Sequence, residues 1–459
     1  MSTLVTPRTL SGFRDYLPSL MLAREEVLRR ARDVYRSYGF TPIDTPACES
    51  LDVLLGKGGD ESDKLVYRVK SARGEGDAEM GLRFDLTVPF ARFSAQYINE
   101  LGTPFKRYAM GPVWRGERPG KGRYREFWQC DFDTIGTTSN AADIETALVI
   151  NDLFTAIGFD KFEIRVNNRM VLNGLLDSFG LRDKSVVVLR AIDKLDKIGR
   201  DAVLAEMTSQ DVPLMSAESV LSFTQLRGPD ALDSLEAALG SVKTVVGLQR
   251  GGPNVDGGPK LIEAGIAQLR ELLAVAKAAG VPDGRIKIDL SIARGLDYYT
   301  GTIYETFLTD LPGIGSVCSG GRYDNLASKY TKQVLPGVGA SLGLDRLIAA
   351  MEELKHPLLT GQSTPAQVLV VNFDATRLGD YQRIARALRA AGVNVEVYPD
   401  AKKVGAQLGY AEKRGFKLAV IAGPAEFEQG VWKVKNLAKR EEAAVPESEL
   451  IGAIQAALR

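Results

Sequence analysis

Residues 105–136 decide the fold, and they read FKRYAMGPVWRGERPGKGRYREFWQCDFDTIG. Cationic side chains between Arg115 and Arg125 are interrupted by glycines and a proline, a pattern that predicts two strands joined by a basic loop. Alternation with a period of two then places one set of side chains on a common strand face: Arg123, Arg125, Phe127, Gln129, Asp131 and Asp133. A face of this kind is typical of a site for a polyanion with a flat base attached. The alternative is a charged hairpin laid over solvent.

The composition limits the classes of protein to which the chain can belong. It has 459 residues and no net charge, with 45% hydrophobic and 25% charged residues, which predicts about two to four globular domains. Nucleic acid binding would therefore depend on local basic patches such as residues 106–129. The three cysteines lie far apart without a CxxC pair, which argues against a disulfide framework or a zinc site. We expect packed thiols in a reducing compartment.

His356 is the only histidine of the chain. A single histidine excludes histidine-dependent triads, HExxH metal sites and ordinary histidine acid–base catalysis. The N-terminal residues contain no apolar core, and no run approaches the ~18 apolar residues of a membrane span. These patterns predict a cytoplasmic protein without a membrane segment and without a protein-bound metal.

Helix and strand periodicities divide the chain into two domains. Residues 1–365 form the first, with a helix-rich insertion at about 170–283. Its predicted helices cover residues 22–38, 140–157, 185–207, 260–279 and 340–353. Its predicted strands, besides the two in the opening stretch, cover residues 64–69, 80–84, 162–166, 285–292, 302–308 and 315–319. After a linker at 357–365, strands and helices alternate through residues 366–459, which predicts a small α/β domain with a mostly parallel sheet.

Residues 293–305, ARGLDYYTGTIYE, place polar and aromatic side chains at the end of a predicted strand. Because neighbouring residues of an extended chain point in opposite directions, one of Tyr298 and Tyr299 would line a pocket while the other packs behind it. A tyrosine hydroxyl in a pocket can bond a flat, polar substrate group. A strand core rich in aromatic residues is the alternative, although Arg294 requires an anion or solvent nearby.

Two glycine-rich stretches follow. Residues 313–326, GIGSVCSGGRYDNL, contain small side chains that let a ligand approach a strand backbone. Residues 337–351, GVGASLGLDRLIAAM, predict a strand that leads into a helix, with Arg346 near the helix start, where it could hold a phosphate group. The alternative is a surface arginine on an ordinary helix. No GxxxxGKS or GxxxxGKT loop occurs, which excludes P-loop phosphate chemistry.

Together these stretches resemble the histidyl-tRNA synthetase family, which belongs to the class II aminoacyl-tRNA synthetases, along nearly the whole chain. Residues 38–49 resemble the dimer-forming motif 1 of the class. Residues 105–136 resemble motif 2, whose arginine corresponds to Arg115. Residues 337–351 resemble motif 3, whose arginine corresponds to Arg346.

Two further stretches resemble signatures that are specific for histidine, ARGLDYYTGTIYE at 293–305 and SGGRYDNL at 319–326. Residues 366–459 are similar to the anticodon-binding domain of the family. The resemblance implies an α+β catalytic domain with an antiparallel sheet and a helical insertion, followed by an α/β anticodon-binding domain. It also implies a homodimer that attaches histidine to tRNA-His with ATP, through histidyl-adenylate, and releases AMP and pyrophosphate. The ATP would carry its Mg²⁺ as part of the substrate.

The resemblance implies roles for individual residues. Arg115 and Arg294 would be catalytic, because they would grip the α-phosphate of ATP and the histidine carboxylate. The residues implied for ATP binding are Arg115, Glu117, Arg123, Phe127 and Arg346. Those implied for histidine binding are Asp85, Thr87, Arg115, Gln129, Asp133, Arg294, Tyr298 and Tyr299. Lys121 and Arg123 in the basic loop would contact tRNA.

Gly120 departs from many bacterial members of the family, which have a glutamine before the Lys-Gly pair of the loop. We therefore expect this chain to read the acceptor end of tRNA-His differently. The alternative functions are a synthetase-like regulatory subunit of ATP phosphoribosyltransferase, an interaction module of a stress kinase, and a class II synthetase for another amino acid. Regulatory subunits lack the anticodon domain, no kinase signature occurs here, and the two histidine signatures disfavour another amino acid.

Overall fold

The computed structural model describes residues 4–56, 63–71, 79–228, 230–237, 257–293 and 299–459. These residues divide into two units. One contains Val27–Leu354 together with the N-terminal residues up to Arg14, and the other contains Lys355–Arg459 together with Asp15–Glu26. The predicted domain boundary between residues 365 and 366 and the predicted insertion bounds stay predictions.

The strands of the first unit are short except for one long pair. They are Thr41–Pro42 (β1), Cys48–Ser50 (β2), Arg68–Val69 (β3), Met80–Leu82 (β4), Phe105–Trp114 (β5), Glu126–Ile135 (β6), Phe162–Asn168 (β7), Ile286–Ile288 (β8), Thr302–Leu308 (β9), Cys318–Tyr323 (β10) and Gly337–Gly343 (β11). Eight of them form one sheet in the order β1-β5-β6-β11-β10-β9-β7-β8. Only the edge pairs β1–β5 and β7–β8 are parallel, so the predicted antiparallel catalytic sheet is confirmed for the strands between them.

The helices described before residue 355 are Pro18–Ser37 (α1), Leu51–Leu54 (α2), Thr87–Leu101 (α3), Asn140–Ile157 (α4), Arg169–Ser178 (α5), Ser185–Ile192 (α6), Leu195–Ile198 (α7), Arg200–Ser209 (α8), Leu214–Thr224 (α9), Gly257–Ala278 (α10) and Leu344–Leu354 (α11). The bounds of α4 agree with the prediction, and local signals explain them. The Ser139 side chain accepts a hydrogen bond from the Ala141 N–H, and Gly158 ends the helix with a φ of 107°.

The predicted hairpin is confirmed, because β5 and β6 pair antiparallel along their full length, from Phe105 opposite Ile135 to Trp114 opposite Glu126. The predicted strand face was wrong at its start. Arg123 and Arg125 precede β6 and belong to the loop. The backbone of Arg123 instead exchanges two hydrogen bonds with that of Gly120, at 2.9 and 3.0 Å, which closes a turn.

Other predicted elements also differ from the structure, among them the following three. The helix predicted over 185–207 is interrupted twice and forms α6, α7 and α8, with Gly199 at a φ of 81° between the last two. The strand predicted over 285–292 is only three residues long. The helix predicted over 340–353 begins at Leu344, because the residues before it pair as β11.

The second unit contains a five-stranded sheet. Its strands are Val368–Val370 (β12), Val395–Val397 (β13), Leu418–Ile421 (β14), Val431–Asn436 (β15) and Glu442–Pro446 (β16), and its helices are Leu378–Ala390 (α12), Val404–Arg414 (α13), Pro424–Gln429 (α14) and Leu450–Leu458 (α15). The order is β13-β12-β14-β15-β16, with two parallel and then two antiparallel pairs. The expected mostly parallel sheet was therefore wrong for its second half, where β15 pairs antiparallel with both β14 and β16. In the part of the chain that the structure describes, no helix has the length and apolar character needed to cross a membrane.

Candidate active site

A cavity of about 240 Å³ opens in the first unit, where β6, β11, β10 and β9 lie side by side. Six of the eight residues implied for histidine binding line it: Asp85, Thr87, Arg115, Gln129, Asp133 and Tyr299. They come from four separate parts of the chain, and the sheet brings them together. Arg294 and Tyr298, the other two, lie outside the described residues.

Asp133 lies in the wall of the cavity and is 3% exposed. The Tyr323 hydroxyl donates a hydrogen bond to its Oδ1 at 2.6 Å, and Nη2 of Arg107 lies 2.6 Å from its Oδ2. Burial raises the pKa of the Asp133 carboxyl, whereas the Arg107 charge and the Tyr323 hydrogen bond act in the opposite direction. Two partners thus hold this carboxyl group in a defined orientation.

The backbone of β11 approaches Asp133 very closely at Gly339, the residue opposite it in the strand pair. A Cβ atom at Gly339 would lie 2.2 Å from the Phe132 carbonyl oxygen and 2.3 Å from Oδ1 of Asp133. No side chain fits into this space. The glycine therefore permits both the strand pairing and the orientation of the carboxyl group.

Asp85 provides a second buried carboxyl group in the wall of the cavity. Asp85 precedes α3, and its Oδ1 accepts a hydrogen bond from the Val88 N–H at 2.9 Å. Burial raises the pKa of Asp85, while the Val88 hydrogen bond and the charge of Arg115 oppose that shift. Gln129 donates from Nε2 to the Ser341 hydroxyl at 2.7 Å, and among the described residues no group donates to its Oε1. The region therefore offers acceptors to an ammonium group.

Arg115 follows β5 at the edge of the cavity. Its Nε donates to the Phe84 carbonyl at 2.8 Å, and its Cζ lies 5.2 Å from the centre of the Phe127 ring. A cation beside an aromatic face at this distance is a favourable contact. Arg115 thereby connects the cavity with Phe127, which does not line it.

The remaining residues implied for ATP and tRNA lie around the basic loop and do not line the cavity. Glu117 forms an ion pair with Arg123, and Lys121 forms one with Glu353. The side chains of Lys121 and Arg123 are 64% and 55% exposed, so solvent or a polyanion can reach them.

The loop also lies against the start of α11. A Cβ atom at Gly122 would come within 3.2 Å of the Arg346 Cα. Arg346 donates from Nη1 to the Ser316 carbonyl at 2.6 Å. The loop therefore lies next to Arg346.

Comparison with known proteins identifies the family. The family model described as histidyl-tRNA synthetase matches residues 12–347, and the model described as anticodon binding domain matches residues 367–457. The chain belongs to the histidyl-tRNA synthetase family. The predicted family and fold class are thereby confirmed, as is the predicted enzyme class, a histidine–tRNA ligase of class II.

Individual members of the family are similar along the whole chain. The histidine–tRNA ligase of Rhodopirellula baltica is 54% identical over 460 residues, which cover 99% of this chain and 100% of that protein. The ligase of Wolinella succinogenes is 44% identical over 435 residues, or 95% and 94% of the two chains. The crystal structure of histidyl-tRNA synthetase from Nostoc sp. has a TM-score of 0.86 and 34% identity and covers 99% of this chain and 100% of that one.

Several residues of the site have no role in the predictions made from the sequence. Arg107 and Tyr323 hold Asp133, and Glu305 and Ser341 line the cavity. Tyr323 belongs to the stretch SGGRYDNL, which resembles a signature of the family, so a signal for it existed. No signal in the sequence indicated the role of Arg107, because its contact with Asp133 depends on the pairing of β5 with β6.

Proposed function

We propose that the cavity binds histidine and that Arg115 joins it to an ATP site formed by Phe127, the basic loop and Arg346. The observation that carries the proposal is the convergence of six residues implied for histidine binding on one cavity. Its volume, about 240 Å³, suits an amino acid. The wall contains the buried carboxyl groups of Asp85, Asp133 and Glu305, which suit a substrate with an ammonium group and an N–H-bearing ring.

In this proposal the two ends of histidine meet different partners. Its α-amino group is bound by Asp85, Thr87 and Gln129. Its imidazole ring is fixed by Asp133 and Tyr299, with Tyr298 adjacent. An amino acid without ring nitrogens would leave buried polar groups unpaired, which lowers the rate of activation by about 10⁴–10⁵-fold in comparable sites.

The first chemical step is an in-line attack by the histidine carboxylate on the α-phosphate of ATP. Histidyl-adenylate forms, and pyrophosphate leaves. Arg115 and Arg294 hold the carboxylate and the phosphate and neutralise the charge that develops, which requires no side-chain base. Phe127 stacks under the adenine ring.

The other ATP contacts come from residues outside the cavity. Arg346 holds the far side of ATP, and Glu117 and Arg123 help to place the triphosphate with its Mg²⁺, which arrives as part of the substrate. The ion pair between Glu117 and Arg123 supports this assignment, because it keeps the two side chains together.

In the second step a ribose hydroxyl of the terminal adenosine of tRNA-His attacks the carbonyl carbon of histidyl-adenylate, and AMP leaves. Lys121 and Arg123 contact the acceptor end, and the C-terminal unit binds the anticodon. We also propose that the enzyme is a homodimer that works in the cytoplasm, where tRNA is charged. The dimer rests on the resemblance of residues 38–49 to motif 1.

Histidine-dependent exchange of pyrophosphate into ATP tests the proposed cavity. The Asp133→Asn variant should raise the KM for histidine by about 10–100-fold and leave the KM for ATP nearly unchanged, because a charged hydrogen bond to the ring is lost. The Asp310→Asn variant is the control, since Asp310 is half exposed and pairs with Lys161 at 3.2 Å. Equal histidine KM values for the wild type and Asp133→Asn would contradict the proposed role of the cavity.

Arg294 is tested in the same assay. Arg294→Ala should abolish adenylate formation while histidine still binds, because the proposed role of Arg294 is to neutralise charge that develops during the attack. Near-normal histidine-dependent exchange in this variant would contradict its assignment.

Gly120 gives a separate hypothesis about tRNA. We propose that the loop reads the acceptor end of tRNA-His differently from bacterial relatives with glutamine at this place. Aminoacylation of transcripts with and without the extra 5′ guanosine of tRNA-His tests it, and an unchanged bacterial-type preference for the extra guanosine would count against it.

A further inference from the structure

Arg107 is a fully buried arginine that does not line the cavity but contacts a residue that does. It lies on β5 directly opposite Asp133 on β6. Its Nη2 is 2.6 Å from Oδ2 of Asp133 and donates a hydrogen bond to the Leu86 carbonyl at 3.1 Å. Its Cζ lies 4.3 Å from the centre of the Phe90 ring.

Stability alone does not explain this arginine. A buried ion pair contributes little compared with apolar side chains of similar volume, because both charges lose their hydration. In the described part of the chain no group accepts a hydrogen bond from Nε or Nη1 of Arg107. The Phe90 ring on one side makes a favourable contact with the guanidinium, but such a contact contributes only modestly to stability. The charge of Arg107 therefore needs a reason other than packing.

The carboxyl groups beside Arg107 supply that reason. Asp133 is the nearer, and Oδ2 of Asp131 lies at 3.9 Å. Burial raises the pKa of Asp131 to about 7, so that Asp131 is largely protonated below neutral pH. The single guanidinium is therefore placed to balance the charge of Asp133, the nearer of the two carboxyl groups. The Tyr323 hydroxyl occupies its Oδ1, and no described group donates a hydrogen bond to Oδ2.

We propose that Arg107 is a positioning residue for the recognition of histidine: it keeps Asp133 as a carboxylate, oriented to accept an N–H of the imidazole ring. A carboxylate only accepts hydrogen bonds, whereas a protonated carboxyl group would also donate and would no longer require an N–H at that ring nitrogen. The inference rests on the proposed function, since it needs Asp133 to contact the ring. Arg107 itself touches no substrate atom in this scheme.

A double-mutant cycle on histidine binding tests the inference. The dissociation constant of histidine is measured by calorimetry for the wild type, Arg107→Gln, Asp133→Asn and the double variant. Each single substitution should weaken binding by about 10–100-fold. The double variant should bind within about 3-fold of Asp133→Asn alone, because Arg107 acts only through Asp133.

Two further variants separate charge from structure. Arg107→Lys should bind histidine within about 3-fold of the wild type, because a single nitrogen contacts Asp133 and an ammonium group would keep the positive charge beside it. Arg83→Met is the matched control, since Arg83 is also buried but its guanidinium donates to the carbonyl groups of Thr45 and Pro112. It should lower stability and leave the affinity for histidine unchanged.

The outcomes distinguish the inference from the proposed function. If Asp133→Asn binds histidine normally, the proposed role of Asp133 fails, and the inference fails with it. If Asp133→Asn binds weakly but Arg107→Gln binds normally, only the inference is overturned. Additive losses in the double variant would also overturn it, because they indicate a general structural effect. If Arg107→Gln does not fold, the Arg107→Lys variant provides the test. A loss of histidine affinity above about 10-fold in folded Arg107→Lys protein would overturn the inference.

Discussion

The hydroxyl group of Tyr323 donates a hydrogen bond to Oδ1 of Asp133 at 2.6 Å, and both side chains line the same cavity. Tyr323 lies on β10 and Asp133 on β6, so the contact crosses β11 between them. Gly339 on that strand leaves the space for it.

The Tyr323→Phe variant should raise the KM for histidine by about 10-fold, since a hydrogen bond to a charged group contributes on the order of 1.5–3 kcal/mol. Pyrophosphate exchange at varied histidine concentration measures this. Tyr330→Phe is the control, because the Tyr330 hydroxyl donates to the Val53 carbonyl at 3.1 Å and Tyr330 does not line the cavity. A normal histidine KM in Tyr323→Phe would show that the hydroxyl does not support Asp133.

Gly339→Ala should damage both folding and histidine binding. The added methyl group would lie 2.2 Å from a backbone oxygen, so the strands must separate, at a loss of about 1–3 kcal/mol in the free energy of unfolding. Urea denaturation measures the stability, and calorimetry measures the binding. Gly313→Ala should change neither, because among the described residues other than its chain neighbours no atom lies within 4 Å of its added methyl group. Wild-type affinity in Gly339→Ala would refute the close approach.

Asp131 gives a prediction about pH. Its pKa in the folded protein, about 7, lies above the ordinary value near 3.9. Between these values the folded state binds a proton that the unfolded state has lost, so this carboxyl group makes stability fall as the pH rises. The asparagine side chain of the Asp131→Asn variant does not titrate in this pH range. Between pH 5 and pH 8 its free energy of unfolding, measured by urea denaturation, should therefore fall less than that of the wild type. The expected difference is on the order of 1–3 kcal/mol.

The exposed control for this series is Asp310→Asn, whose midpoint should follow the wild type at every pH. Parallel curves for the wild type and Asp131→Asn would mean that Asp131 does not titrate in this range. The histidine affinity of Asp131→Asn at neutral pH should stay within about 3-fold of the wild type, because Arg107 then still balances Asp133.

Lys121→Ala should separate the two chemical steps. The lysine is exposed and carries one of the loop charges expected to meet phosphate groups of tRNA. Its loss should raise the KM for tRNA-His several-fold and reduce the salt dependence of tRNA binding by a slope of about 1, with normal pyrophosphate exchange. Lys161→Ala is the control, since Lys161 is equally exposed but pairs with Asp310 away from the loop. A defect of Lys121→Ala in pyrophosphate exchange, without a defect in tRNA binding, would contradict the proposed contact of Lys121 with tRNA.

Much of the fold could be predicted because its signals are local. The β5–β6 hairpin and the α4 helix follow from strand alternation, helix periodicity and the residues at their ends. The wrong assignment of Arg123 to the strand face also comes from reliance on local signals. The loop alternates polar residues as the strand does, and only the turn that Gly120 closes ends the pattern.

The support of the site could not be predicted, because it depends on pairs of residues that are far apart in the sequence. The contact between Arg107 and Asp133 follows from the register of two strands, and the contact between Tyr323 and Asp133 spans 190 residues. The resemblance to the family supplied residues for the substrate contacts. It included the stretch that contains Tyr323, but it gave no role to Tyr323 or to Arg107.

Pyrophosphate exchange with each standard amino acid in turn tests the central claim most directly. The wild-type protein should exchange pyrophosphate into ATP with histidine and with no other amino acid at comparable concentration. Exchange that depends on a different amino acid, or no exchange with histidine by a protein that binds it, would contradict the claim that this cavity activates histidine.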